Sequence, residues 1–447
     1  MSRRLHISMR IALLVTLFCL GAFAQEKYFV TVTGDVNGIA KRHNLTVVKS
    51  LAGSAGQHVL SSKGANPHSV LRSLSLDSAV KSAELDKVVL LPGKKAAATV
   101  YPAGPAAGIH LFSLPFFYYN SPASSAYITQ PATDVINLDR AHLLSTGRGA
   151  VVAVIDTGAD LTHPVLAGSL VPGYDFILNQ PEGGEKAALN QETTPILDQE
   201  TTPILDQETT PILDGGTAVI LQQETTPILD QETTPILDAH QFPDYGHGTM
   251  VAGLIHLVAP NAQIMPLRAF GADGRATVSQ IVDAIQYAIL HKVDVINMSF
   301  STGTDSPALS TALAAATQAG IICVASAGND GQAIPVYPAA YGNVIDVAGT
   351  NDAGTRSTWS NYGSQWVALA APDEGLITTY PDSHYAQVSG TSFSAPLVSG
   401  GAALLVGLDP TTKQKAAAKD LSRATEIGQQ LGAGELDLYQ ACQAARK

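Results

Sequence analysis

Hydrophobic and polar positions follow two rhythms along this chain. From about Val135 onward, short, nearly continuous apolar runs alternate with segments in which apolar residues recur every three or four positions. VVAVID (151–156), AQIMPLRAF (262–270), VDVINMSF (293–300) and IICVASAG (321–328) read as strands. HGTMVAGLIHLVA (247–259), a segment near TVSQIVDAIQYAILHK (277–292) and PALSTALAAATQAG (307–320) read as helices. In the second of these, Val278, Ile281, Val282, Ile285, Ala288 and Ile289 form one apolar stripe. Strands apolar on both faces, separated by crossover helices, predict an α/β fold: a parallel sheet with helices on both faces. Residues 411–447 read as one or two closing helices, with Gly432-Ala433-Gly434 as a turn between them.

Earlier in the chain the pattern changes. YFVTV (28–32), VNGIAKRHN (36–44), TVVKSL (46–51), QHVLSS (57–62), HSVLRSLSLDSAVKSA (68–83) and KVVLL (87–91) predict strand, helix, two strands, helix and strand. That is a small α+β unit of βαββαβ type over residues 25–93. Residues 94–128 turn to Ala, Pro, Gly, Ser and aromatics without periodicity and read as a linker, leaving 129–447 as the main domain.

Within that domain the rhythm stops once. QETTPILD occupies 191–198, 199–206 and 207–214, the divergent octet GGTAVILQ follows at 215–222, and QETTPILD returns at 223–230 and 231–238. A proline every eighth residue rules out a continuous helix, and Thr-Thr-Pro favours extended or turn backbone. The segment 191–238 reads as a solvated tandem insertion that ends nine residues before His247. That proximity suggests an overhang that limits bulky substrates; cation-binding and adhesive roles are the alternatives. One Glu and one Asp per copy, six residues apart, are sparse for calcium.

Composition then narrows the classes of function. The 447 residues carry 26 Lys and Arg against 38 Asp and Glu, a net charge of −12. Nucleic-acid binding needs a basic surface to neutralise phosphates, so that class is excluded. The five octapeptides hold ten of the acids, which leaves the rest of the chain at −2. At the N-terminus, Arg3, Arg4 and Arg10 precede an apolar run from Ile11, followed by Ala22-Phe23-Ala24. This reads as a secretory signal over 1–24, and the chain as secreted, extracellular or periplasmic. A membrane anchor is the alternative, but the run is short for a span of about 20 residues. No later stretch reads as a membrane span. Cys323 and Cys442 do not make a disulfide framework; both read as ordinary buried cysteines, with a bridge between them left open.

Three glycine-punctuated boxes carry an acid, a base and a nucleophile. Asp156 ends the strand VVAVID, His247 opens a helix in YGHGTMVAG, and Ser392 stands at another helix start in SGTSFSAP. In open α/β sheets the strand carboxyl ends and helix N-termini form the site, so the three face one crevice. A serine hydroxyl needs a base to remove its proton, and an imidazole does that near neutrality. A buried carboxylate sets the imidazole's tautomer and stabilises its cation. Asn329, in SAGNDG, offers a side-chain amide to a developing oxyanion, and the Ser392 backbone N–H offers a second donor.

The boxes VVAVIDTGADLTHP, HGTMVAG, VINMSF, ASAGNDG and SGTSFSAP, in this order, resemble those of the subtilisin-like serine peptidases, the subtilases, over about 129–447. The resemblance implies a secreted serine endopeptidase working through an acyl-enzyme, with Asp156, His247 and Ser392 as the triad and Asn329 as oxyanion donor. Ser299-Phe300-Ser301 would pair with the substrate backbone, with Gly328 beside them. The βαββαβ unit resembles the family's inhibitory propeptide, so the expected partners are protein or peptide substrates and the chain's own propeptide; a monomer is expected. Val165 stands where relatives often carry a calcium-binding Asp after His163-Pro164, and only LIHL separates the VAG of the histidine box from Val258-Ala259-Pro260. No cofactor is expected to be required; the strongest calcium site of the family is expected to be missing, with weaker structural sites left open. Met250 and Phe393 replace a common His and a common Met, and Ser301 replaces a common Gly, which narrows the pocket before the scissile bond. A second reading is a non-catalytic secreted binding protein on the same scaffold, displaying the repeats.

Overall fold

The computed structural model describes residues 25–51, 56–92, 98–101, 116–186, 219–221, 244–428 and 430–446. The leader read over 1–24 and the five QETTPILD copies lie outside them, as does most of the segment read as a linker.

The N-terminal unit runs β1 (Lys27–Val32), α1 (Val36–Arg42), β2 (Thr46–Ser50), β3 (Gln57–Ser61), α2 (Pro67–Ser75) and β4 (Val80–Leu85), in an antiparallel sheet of order β2-β3-β1-β4. Alternate residues of β1 (Tyr28, Val30, Val32) pack on Ile39 of α1 and Leu74 of α2. Asp35 and Asn66 cap the two helices through their side-chain oxygens. The sequence pattern carries the second helix to residue 83, whereas the structure ends it at Ser75. Asp77 accepts the Ala79 N–H at 3.0 Å and also takes Arg42 and His43, a local turn that outcompetes another helical turn. Val80–Leu85, not KVVLL, is therefore the last strand of this sheet.

KVVLL instead leaves the unit. As β5 (Val88–Leu90) it pairs antiparallel with β14 (Arg275–Thr277), and Leu90 also bridges Ser301 on its other side. The unit is seated by carboxylates at the N-termini of two helices, α7 (Val278–Leu290) and α8 (Pro307–Gln318). Asp86 accepts the backbone N–H and the hydroxyl of Ser279, each at 2.8 Å, while Glu84 accepts Ala308 N–H at 2.9 Å and Ser306 Oγ at 3.0 Å. Unpaired N–H groups at a helix start attract negative charge, which explains two acids in this position. Burial pushes both carboxyls above their ordinary range. Lys49 adds an ion pair to Asp283 of α7.

Of the linker segment, β6 (Ala98–Tyr101) pairs with β19 (His384–Val388), and β12 (Val219–Leu221), from the divergent octet, pairs with β6. The remainder that is described is no spacer. β7 (Phe116–Tyr118), β8 (Ser121–Ala123) and the short helices α3 (Ser125–Ile128), α4 (Pro131–Val135) and α5 (Leu138–His142) lie on the main core. Tyr118 and Tyr127 donate their hydroxyls to Leu257 O and Gly253 O, each at 2.6 Å. Buried phenols find partners, and these two nail the segment onto the histidine helix.

The main sheet has the order β11-β10-β13-β9-β15-β16-β17-β18 and is parallel except for its edge strand, β11 (Gln180–Pro181). The others are β9 (Val151–Asp156), β10 (Tyr174–Asp175), β13 (Gln263–Arg268), β15 (Val295–Met298), β16 (Ile322–Ser326), β17 (Ile345–Thr350) and β18 (Leu369–Pro372). Val152 and Val154 face α6 (His247–Val258) and α9 (Thr391–Leu408), with α10 (Gln414–Leu421) and α11 (Leu438–Ala445) behind. Ala153 and Ile155 face α7 and α8. Helix α9 is buried on all sides over most of its 18 residues because it runs through the centre. Cys323 and Cys442 are buried and unpaired.

Candidate active site

The carboxyl ends of β9, β15 and β16 and the N-termini of α6 and α9 meet at one edge of the sheet. Asp156 is the last residue of β9 and fully buried; its Oδ1 accepts the Thr157 N–H and lies 2.8 Å from Nδ1 of His247, the first residue of α6. Two glycines allow this approach. A Cβ on Gly248 would sit 2.0 Å from Gly158 O, so the loop after Asp156 and the first turn of α6 touch backbone to backbone. Nε2 of His247 has no hydrogen-bond partner among the described residues.

Under this pair sits a residue that no motif announced. Glu185 is fully buried; its Oε1 accepts Thr157 Oγ1 at 2.5 Å and Gly246 N–H at 2.7 Å, and its Oε2 accepts Thr249 Oγ1 at 2.5 Å. Thr157 Oγ1 in turn accepts Gly248 N–H at 2.9 Å, and Thr249 Oγ1 accepts Asp160 N–H at 2.8 Å.

Ser392 stands in the first turn of α9, whose ring neighbour Phe393 packs 5.4 Å, centre to centre, from the His247 imidazole. The Ser392 hydroxyl donates to Ser299 O at 3.2 Å, while Ser299 Oγ donates to Ser392 O at 2.7 Å. Asn297 Nδ2 donates to Ser299 Oγ and its Oδ1 accepts Ser399 Oγ, so β15 and α9 are cross-linked through neutral groups. Asn329 Oδ1 accepts both the N–H and the hydroxyl of Thr391, at 3.0 and 2.8 Å, which fixes the amide and leaves Nδ2 to donate. Its loop is held by Asn361, which accepts Asp330 N–H and Gln332 N–H and donates to Ala327 O. Gly328 has φ +91°, and a Cβ there would meet Asn361 Nδ2 at 2.7 Å and Val336 at 3.3 Å. Ser301 Oγ borders the same spot, 3.5 Å from that Cβ position. Phe300 is fully buried, so Ser299 and Ser301 flank an anchored side chain.

The sequence profile described as the Subtilase family matches residues 147–435. The chain belongs to the subtilase family. Among relatives, this subtilase is 33% identical over 257 residues to the "Thermophilic serine proteinase" of Bacillus sp. (strain AK1), covering 58% of this chain and 52% of that one, so it spans about half of that relative. It is 29% identical over 322 residues to "Thermitase" of Thermoactinomyces vulgaris, covering 69% and 94%. Fervidolysin from Fervidobacterium pennivorans, a keratinolytic enzyme related to subtilisin, shares the fold with a TM-score of 0.67 at 22% identity, over 95% of this chain and 61% of that one.

The geometry brings the predicted Asp156 and His247 into contact and sets Ser392, Asn329, Ser299, Ser301 and Gly328 around one edge of the subtilase. Sequence reasoning missed Glu185, Asn361, Asn297 and Ser399. Thr157 and Thr249 stood inside the quoted boxes and carried the available signal, since two buried hydroxyls call for a shared partner. Among the described residues no group of three or more His, Cys, Asp or Glu could hold a metal ion. Asp160, near the Val165 departure, is engaged by Thr162, the Asp382 N–H and Lys186.

Proposed function

We propose that this subtilase is an exported serine endopeptidase made as a zymogen. The observation that carries the reading is the 2.8 Å Asp156–His247 contact at a strand end, opening on the start of the Ser392 helix. To attack a peptide carbonyl, the Ser392 hydroxyl exchanges its bond to Ser299 O for one to Nε2 of His247, which accepts the proton. Asp156 holds the imidazole through Nδ1 and stabilises the cation. Asn329 Nδ2 and the Ser392 N–H receive the oxyanion. His247 then protonates the leaving amine, and water repeats the sequence on the acyl-enzyme.

The N-terminal unit supports the zymogen reading. β5 lies antiparallel between Arg275–Thr277 and Ser301, as an extended substrate would, with Val89 and Leu91 buried and Leu90 51% exposed. Alternate side chains entering pockets from a strand added to an edge is a recurring mode of peptide recognition. The segment after Pro92 is the expected region of the cut. Arg3, Arg4 and Arg10 before an apolar run support export.

The test is to express 25–447 as wild type and as Ser392→Ala, following chain length on a gel and hydrolysis of a chromogenic peptide with and without a serine-directed inhibitor. Shortening and inhibitable hydrolysis in the wild type alone support the proposal. Two folded chains that stay full length and inert would overturn it in favour of a binding scaffold.

A further inference from the structure

We propose that Glu185 is a positioning residue of the acid–base pair: its buried carboxylate locks the strand end that carries Asp156 to the helix start that carries His247, and supplies negative charge that favours the imidazolium. The inference rests on the triad reading above and adds a residue to it.

The hydrogen-bond pattern leaves little freedom. Each threonine hydroxyl accepts a backbone N–H, from Gly248 or Asp160, and so turns its own proton to Glu185. With Gly246 N–H, three donors meet the two oxygens. Three donors and no acceptor call for an ionised carboxylate. The backbone groups tied in this way belong to positions 246, 248 and, through its hydroxyl, 249, which surround His247, and Thr157 directly follows Asp156. A small displacement of either catalytic side chain relative to the other therefore breaks bonds to Glu185.

The charge is costly where it stands. Among the described residues no cation pairs with it: Lys186, the next residue, pairs with Asp382 at 2.8 Å and lies 3.7 Å from Asp160. The titratable groups that face Glu185 are Asp156, whose charge repels it, the phenols of Tyr245 and Tyr380, and His247 across the Gly246 turn. Burial, with the Asp156 repulsion added, pushes the Glu185 carboxyl up to about 7. A buried carboxylate with no ion-pair partner among the described residues is a poor choice for stability alone, because an unpaired charge is costly to desolvate. Its effect is felt at His247. An ionised Glu185, bonded to the Gly246 N–H, places negative charge one residue along the chain from His247.

The experiment compares processed wild type, Glu185→Gln and Glu185→Asp, with active sites counted by a serine-directed titrant. kcat, KM and the pH profile of kcat/KM are measured on one peptide substrate, and melting temperatures on the same samples. The proposal expects Glu185→Gln to lose about 10–100-fold in kcat with KM nearly kept. Its acid limb moves to lower pH, because the imidazole has lost a neighbouring anion. Glu185→Asp keeps the charge and recovers part of the shift. An unmoved acid limb, or an unchanged kcat, overturns the proposal. If Glu185→Gln does not fold, Thr249→Val removes one donor, raises the Glu185 carboxyl further and must shift the limb the same way. An inert wild type sinks the peptidase reading and this one with it; an active wild type beside an unchanged variant sinks only this one.

Discussion

At the acid–base edge, where β9 ends and α6 begins, the bonds that fix Asp156 and His247 converge on one buried carboxylate, Glu185. At the nucleophile edge, where β15 and β16 end and α9 begins, Ser392 and Asn329 are fixed by amides and hydroxyls: Asn297, Ser299, Thr391, Asn361 and Ser399. A carboxylate's charge varies with pH, whereas amides and hydroxyls do not titrate near neutrality. The contrast teaches that the two edges respond to different perturbations. The first registers protonation, and the second registers only geometry.

The largest effect sharpens the contrast by removing the proposed nucleophile. Ser392→Ala is expected to cost about 10⁶ in kcat, a figure borrowed from subtilisin. Combining it with His247→Ala should cost no more, because the two act as a unit; an additive loss in single-turnover rates would break that picture. Asn329→Leu is expected to cost about 10²–10³, again as in subtilisin, and to leave the shape of the pH profile of kcat/KM unchanged. A shifted acid limb would mean that the oxyanion edge also carries protonic information.

Asn361→Ala comes next. It frees the Asp330 and Gln332 N–H groups and leaves the buried Ala327 carbonyl without its donor, which costs about 1–3 kcal/mol of stability. It should lower kcat about tenfold as the Asn329 loop loosens, with melting and kinetics as the readouts. The smallest effect probes a buried carboxyl on the nucleophile side. Asp373 accepts Trp359 Nε1 at 2.8 Å and also bonds Ser357, and its backbone carbonyl takes the Gly390 N–H just before α9. Burial raises it from 3.8 to about 7. Its folded form therefore keeps a proton that the unfolded chain loses near pH 4, and its contribution to stability falls as pH rises toward 7. Asp373→Asn should compare better with wild type at pH 9 than at pH 5 in melting temperature, with the acid limb of kcat/KM in place. A limb that moved as far as in Glu185→Gln would erase the distinction between the edges.

Much of this was legible because it is written in local pattern. Parallel strands buried on both faces show as unbroken apolar runs, and Asp156, His247, Asn329 and Ser392 each sit where a strand or helix terminus meets glycine. Glu185 was not legible. It lies 62 residues before His247, in a loop of glycines, with the octapeptide copies between. Only the fold brings it under the dyad. The error at 68–83 has a similar source: the apolar spacing there fits a helix, and what stops the helix is Asp77 bonding to Arg42 and His43, partners some 35 positions away. Residues 116–128 were misjudged because aromatics without periodicity look like a spacer until Tyr118 and Tyr127 are seen to reach α6.

The seating of β5 has a consequence for how activity is released. Under the zymogen reading, Val88–Leu90, paired with Arg275–Thr277 and bridged to Ser301, is a tethered ligand, at an effective concentration on the order of millimolar for a short connection. Under the proposed processing, one cut turns that tether into an ordinary encounter between two molecules. Occupancy by the released strand then falls as the processed protein is diluted. For an exported peptidase, leaving a confined compartment would itself be the activating event.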